Sequence, residues 1–195
     1  MLYLVRHGET VWNAAGRYQG QKDSPLTVRG REQGASIGRI LANVASALEK
    51  PLRAYISPLG RARETAAIMG QYLALDCVDE PRVTEVTIGP WDGMIDYEIE
   101  SEYPGALDGT DAFNWYFRSP GGERFEDVLK RISDWLSEVQ TPAVVISHGL
   151  IGRIVRGIYL GMPKREMLEL AVPQNGLYVL DAGSVRFLAE ADVRA

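Results

Sequence analysis

Two short apolar runs in this chain stop on the same pair of residues. Leu2-Tyr3-Leu4-Val5 leads into Arg6-His7-Gly8, and Ala143-Val144-Val145-Ile146 leads into Ser147-His148-Gly149. Each reads as a buried strand followed by a histidine and a glycine. Strand patterns alternate with helix patterns along the chain, which points to an α/β layer fold. The expected architecture is three-layer α/β/α, with a mostly parallel central sheet, helices on both faces and a terminal hairpin supplying edge strands. In open α/β sheets, ligands bind beyond the carboxyl ends of the strands. Both strand ends are therefore expected at one rim, and they carry the only two histidines in the sequence.

The remaining elements follow from periodicity. Thr27 is placed to cap a helix whose apolar positions Ile37, Ile40, Leu41, Val44 and Leu48 recur at helical spacing. A strand is expected over 54–57, and a helix over roughly 60–74 that ends near Leu75. Over 91–122 the pattern breaks down. Residues 91 to 117 hold seven acidic side chains and no basic one. This stretch reads as an insertion or lid within a single domain spanning 1–195. The 123–139 stretch is the cleanest amphipathic helix, with Phe125, Val128, Leu129, Ile132, Trp135, Leu136 and Val139 on one face. A third buried strand over 143–146 runs into an apolar helix to about Leu160, and strands over 177–180 and 185–188 close the chain as a hairpin.

Composition narrows the function classes. An apolar fraction of 46% is ample for a core. The net charge of −5 gives no general attraction to nucleic acid or anionic membrane, and leaves room for a local basic pocket. One cysteine, Cys77, excludes an intrachain disulfide and fits a cytoplasmic location. No segment approaches ~18 consecutive apolar residues, and the N-terminus does not resemble a secretory signal.

The cations suggest what the rim holds. Arg6 adjoins His7, and Ser57-Pro58-Leu59-Gly60-Arg61 puts Arg61 about one turn into the helix after a strand end. Arginine presents a planar fork of donors suited to phosphate oxygens. A phosphoryl group could be held by Arg6 and Arg61, with help from Asn13 and helix N-terminal amides. Arg31 and Arg63 stand at no strand end and read as solvated or ion-paired. No H-x-x-x-H or paired-carboxylate set suggests a metal.

These residues carry a family resemblance. The chain resembles the histidine phosphatase superfamily, the phosphoglycerate-mutase-like group. The motifs are Arg6-His7-Gly8-Glu9-Thr10 with Asn13, the stretch from Arg17 to Gly34, Ser57 to Ala66, Thr84 to Gly93, and Ile146-Ser147-His148-Gly149 onward, all in family order. Asp92 stands where glutamate is usual, and Arg124 follows Pro120-Gly121-Gly122-Glu123 where serine is usual. The resemblance implies that His7 is the nucleophile that becomes a phosphohistidine. It implies that Arg6, Arg61 and His148 clamp the phosphate, with Asn13, Gln19, Gly20 and Gly149 around it, and that Glu85 is the proton donor.

The chemistry suits these residue types. A neutral imidazole attacks phosphorus without a separate base, and a hydrogen bond from its far nitrogen to a backbone carbonyl would decide which nitrogen attacks. Gly8 would let the backbone come close and leave the phosphate uncrowded. The basic side chains neutralise the phosphate, so no metal cofactor is expected. The expected function is hydrolysis of a small phosphorylated metabolite, with no nucleic-acid or membrane partner; a homodimer is compatible with the sequence. A phosphoglycerate mutase primed by 2,3-bisphosphoglycerate would use the same site, and a non-catalytic phospho-ligand module would keep the pocket alone. The acidic 91–122 stretch argues against a multiply charged substrate. Trp91, Tyr97, Phe113, Trp115 and Tyr116 either line the leaving-group pocket or form the insertion's own small core.

Overall fold

The computed structural model describes residues 1–46, 51–111 and 114–192. Its strands are β1 (Leu2–Arg6), β2 (Leu52–Ile56), β3 (Leu75–Asp79), β4 (Ala143–Ser147), β5 (Gly176–Asp181) and β6 (Ser184–Ala189). They form one sheet in the order β3-β2-β4-β1-β5-β6. Strands β3, β2, β4 and β1 are parallel, while the β5–β6 hairpin adds antiparallel to β1. This is the expected mostly parallel sheet with a terminal hairpin at one edge.

The helices are α1 (Val11–Ala14), α2 (Val28–Val44), α3 (Gly60–Met69), α4 (Asp96–Glu102), α5 (Phe125–Glu138), α6 (Gly149–Tyr159) and α7 (Lys164–Glu169). Successive strand residues face opposite sides of the sheet. Tyr3 and Val5 therefore pack with Ile37, Ile40 and Leu41 of α2 and Ala62, Ala66 and Met69 of α3. Leu2 and Leu4 pack with Val128, Ile132 and Trp135 of α5 and Ile151, Ile154 and Val155 of α6. The result is three layers. Thr27 caps α2 through its side chain, which accepts from the Gly30 N–H at 3.0 Å.

Several elements differ from expectation, short α1 and α4 among them. Helix α3 stops at Met69, with Gly70 at its C-cap, instead of continuing to 74. The next five residues after the turn form β3, an edge strand exposed from Asp76 to Asp79, so its sequence shows no apolar alternation. Short α7 supplies Met167 and Leu168 to the core. Within 91–122, Trp91, Ile99 and Trp115 join Ile88 in a third buried cluster. Trp91 and Trp115 thus form a local core, while Tyr97 is exposed at 79%. Leu48 and Phe113 lie outside the described residues.

The loop after β1 is pressed against the start of α2. A Cβ on Gly8 would lie 2.2 Å from the Gly30 carbonyl oxygen, and a Cβ on Gly30 would lie 2.0 Å from that of Glu9. Gly8 is thus required by backbone-to-backbone contact with α2. Gly30→Ala is expected to cost about 1–3 kcal/mol, the usual range for overpacking against a rigid neighbour. A lower urea midpoint at unchanged m-value checks this; an unchanged midpoint contradicts it.

Candidate active site

Strand register builds the site. Arg6 is opposite Ser147 across the β1–β4 pair. The His7 N–H donates to the Ser147 carbonyl at 2.9 Å, and the Ser57 N–H donates to the Ile146 carbonyl at 3.0 Å. His7, His148 and Ser57 therefore leave three adjacent parallel strands at one level. The two imidazole rings lie 5.1 Å apart, centroid to centroid.

Two contacts define the His7 tautomer. Nδ1 lies 2.8 Å from the Gly8 carbonyl oxygen, and Arg61 Nε donates to Nε2 at 3.2 Å. A carbonyl only accepts and a guanidinium only donates. Nδ1 therefore carries the proton, and Nε2 presents its lone pair. His7 is buried, and burial pushes its pKa well below the usual histidine value, with Arg61 and Arg6 adding to the effect. The ring is neutral near neutral pH.

Arg61 sits on the first turn of α3, almost wholly buried. Its Nη2 donates to the Gly20 carbonyl at 2.8 Å, and Nη1 to the Lys22 carbonyl at 2.7 Å and to Asp23 at 2.9 Å. Asp23 also accepts from the Gly60 and Arg61 N–H groups, at 2.6 and 3.3 Å, and so holds the N-terminus of α3. Arg6 donates through Nη1 to the Val172 carbonyl, and its buried Nε has no partner among the described residues. Burial lowers the Arg6 pKa, and Glu85 opposes that shift.

His148 caps α6 and meets Ser57 Oγ at 2.7 Å through Nε2; its Nδ1 has no partner among the described residues. Burial again pushes the imidazole pKa well down, with Arg61 next and His7 after it. Asn13 closes a capping box with Thr10, and Gln174 donates to Asn13 Oδ1 at 3.3 Å. With Oδ1 so engaged, the Asn13 amide N–H groups are its remaining donors. Glu85 accepts from the N–H groups of Val86 and Leu150 at 3.0 and 3.2 Å, the latter on the first turn of α6.

One open cavity of about 150 Å³ is lined by Arg6, His7, Asn13, Gln19, Gly20, Arg61, Glu85 and Gly149. His148 lies beside it through His7. The sequence reading therefore names residues that the fold brings together. Tyr116, one of the aromatics named for the leaving-group pocket, also lines the cavity. Arg17, Tyr18 and Arg153 line it as well, and the sequence reading gave them no role. Gln174 ties Asn13 to the His7 carbonyl, which it reaches at 2.9 Å. Ser57 and Asp23 stood inside recognised motifs without a role. Arg153 had a readable signal, one turn beyond Gly149 on an N-terminal helical face; Gln174, a lone polar residue in a loop, had none.

The acids of 91–117 do not face the cavity. Asp92 accepts from the backbone of Gln21 and Ile88, Asp96 from Tyr18 Oη, and Glu98 from Arg17. Among the described residues the cavity lining holds four arginines and one carboxylate, Glu85. The acidity of this stretch therefore does not argue against a multiply charged substrate. Arg118 donates outside the cavity to the Asp108 carbonyl, and Arg124 is exposed beside Glu126. Arg31 and Arg63 are ion-paired with Glu64 and Asp79, as expected. Asp92 also explains Gly20, whose φ is +51° and whose Cβ would lie 1.6 Å from Asp92 Oδ1.

The family model described as histidine phosphatase superfamily (branch 1) matches residues 2–191. The chain belongs to that superfamily. It is 31% identical over 198 residues to glucosyl-3-phosphoglycerate phosphatase of Mycolicibacterium vanbaalenii, covering 95% of this chain and 85% of the relative. It is 32% identical over 171 residues to an Erwinia tasmaniensis protein named "Probable phosphoglycerate mutase GpmB", covering 83% and 75%. Among solved structures, Bacillus stearothermophilus YhfR matches with a TM-score of 0.77 at 30% identity, over 98% of this chain and 96% of that one. This histidine phosphatase is thus an α/β enzyme whose relatives include phosphatases and a mutase-named protein. No helix among its described residues is long and apolar enough to cross a membrane.

The buried histidines make stability depend on pH. Unfolded histidines titrate near ~6.5, so below that value the unfolded chain binds more protons than the folded one. The stability that depends on keeping them neutral is fully present above about pH 6.5 and is lost as pH falls toward the lower folded-state pKa, by about 1.4 kcal/mol per pH unit per histidine. Urea titrations in phosphate-free buffer from about pH 7 to about pH 5 are expected to show this slope, roughly halved in His148→Asn. A slope unchanged by that substitution contradicts it.

Proposed function

We propose that this histidine phosphatase hydrolyses small phosphate monoesters through a phosphohistidine on His7. The observation that carries the reading is the His7 tautomer: a buried, neutral ring whose Nε2 lone pair faces the arginine-lined cavity. Nε2 attacks phosphorus and the ester P–O bond breaks. Arg61 gives up its bond to Nε2 as the phosphoryl group arrives. Arg6, Arg61, His148 and Asn13 hold the phosphoryl oxygens, with Gln19, Gly20 and Gly149 around them, and stabilise charge that spreads over those oxygens.

The leaving oxygen takes a proton from Glu85. A dianionic phosphate beside a carboxylate favours holding one proton between them. In the second step Glu85 takes a proton from water as the water oxygen attacks phosphorus. The P–N bond breaks, His7 is restored with its Nδ1 proton in place, and Glu85 regains its proton. The arginines supply the charge neutralisation, so the reading needs no metal, and among the described residues no cluster of metal-ligating side chains occurs. The chain is read as one domain, with the 91–122 segment contributing Tyr116 to the cavity wall. A mutase, primed by a bisphosphate, is the second reading. Arg153, which lines the cavity beyond the clamp, favours it, as does the mutase-named relative; Arg17 is already paired with Glu98.

Phosphorus NMR of a mixture of phosphate monoesters with EDTA, including 3-phosphoglycerate and its bisphosphate, tests the choice. Inorganic phosphate is expected from wild type and none from His7→Ala. Arg61→Ala is expected to slow release by roughly 10²–10³, the loss usual for one oxyanion donor. Formation of 2-phosphoglycerate without phosphate release would instead establish the mutase. Turnover surviving in His7→Ala would overturn both.

A further inference from the structure

The turn that opens α5 grips the chain on both sides of Glu85. The Glu123 N–H donates to the Thr87 carbonyl at 3.0 Å, and the Thr87 N–H donates back to Glu123 Oε2 at 3.2 Å. Arg131, from the second turn of α5, donates to the Glu123 carboxylate through Nε and Nη2 at 2.8 and 3.1 Å. Its Nη1 donates to the Arg82 carbonyl. Arg82 lies three residues before Glu85 and Thr87 two residues after it. One guanidinium therefore holds the segment upstream directly and downstream through Glu123.

These bonds leave α5 rather than run along it. Helix-surface ion pairs normally link residues three or four apart; this one links residues eight apart and ends on the backbone of another segment. The pair is also sheltered, with side chains 19% and 23% exposed, so water screens it less than a surface pair. The carboxylate of Glu85 is itself held by the N–H groups of Val86 and Leu150. Where it points is set by where the 82–87 backbone lies. Neither Glu123 nor Arg131 lines the cavity.

We propose that the Glu123–Arg131 pair is a positioning device that aims the Glu85 carboxyl at the leaving oxygen. This rests on the reading of Glu85 as the proton donor. Proton transfer needs heavy atoms about 2.6–3.2 Å apart, and a displacement of about 1 Å can cost roughly 100-fold. Loss of the pair therefore acts on protonation of the leaving oxygen, and also on the later deprotonation of water, which both esters share.

The test compares glycerol 3-phosphate, whose alkoxide must be protonated, with p-nitrophenyl phosphate, whose leaving group departs as an anion. Arg131→Met is expected to lower kcat/KM, which reports the steps up to departure of the leaving group, about 10–100-fold on glycerol 3-phosphate. The loss of kcat/KM on p-nitrophenyl phosphate is expected to be several-fold smaller. In a Glu85→Gln background the same substitution should add less than about a further twofold, because the aimed group is gone. Arg131→Lys should recover part of the loss. Glu123→Gln, which keeps the side-chain shape, provides the same comparison if Arg131→Met does not fold. Equal losses on both esters, with Glu85→Gln selective for glycerol 3-phosphate, would overturn this inference alone. A Glu85→Gln enzyme matching wild type on glycerol 3-phosphate would overturn both the inference and the reading beneath it.

Discussion

Parallel pairing of β1 with β4, in the register that sets Arg6 opposite Ser147, governs the rest of the rim. Both strands are buried on both faces, and a slip of one residue would turn every side chain to the other face of the sheet. In the observed register the residues following each strand emerge side by side. His7 and His148 come within 5.1 Å, and β2, pairing with β4 in turn, delivers Ser57 to His148. The loops then need only short paths to complete the cavity. Gly8 and Gly30 let the first of these loops lie directly on the start of α2.

Burial does electrostatic work at this rim. It strips water from both imidazoles and holds them neutral, with Arg61 and Arg6 close by to oppose a second positive charge. The same guanidiniums are then placed to receive an anion. Asp23 and the Gly20 and Lys22 carbonyls hold Arg61 in place before substrate arrives, so little reorganisation remains for the reaction itself. Under the proposed mechanism His7 needs no general base, because the Gly8 carbonyl holds the ring proton on Nδ1.

What the sequence made legible follows from range. The strands β1 and β4 are continuous apolar runs, and α5 carries an apolar stripe, so local pattern suffices for them. The motif residues Arg6, His7, Asn13, Arg61 and His148 were readable because each stands at or near an element end and matches a family pattern; Glu85, in irregular chain after Val83, was readable from the family pattern alone. Strand β3 was not readable: an edge strand with exposed faces has no reason to alternate. The supports were not readable either. Asp23 reaches across 38 positions to Arg61, and Gln174 across 167 to His7. Such partners are set by tertiary packing, and a polar residue in a loop carries no local mark of them. The acidity of the 91–117 stretch misled because composition does not say which way a side chain turns. Its Asp96 and Glu98 are spent on Tyr18 and Arg17.

The central claim is that the lone pair of His7 Nε2 takes the phosphoryl group. Rapid quench of the enzyme with a labelled phosphate monoester, followed by mass spectrometry and phosphorus NMR of the trapped protein, measures this directly. The mechanism predicts one phosphoryl group per chain, on His7, bonded to Nε2. Label on His7 Nδ1, on His148, or no covalent label during steady turnover would contradict it.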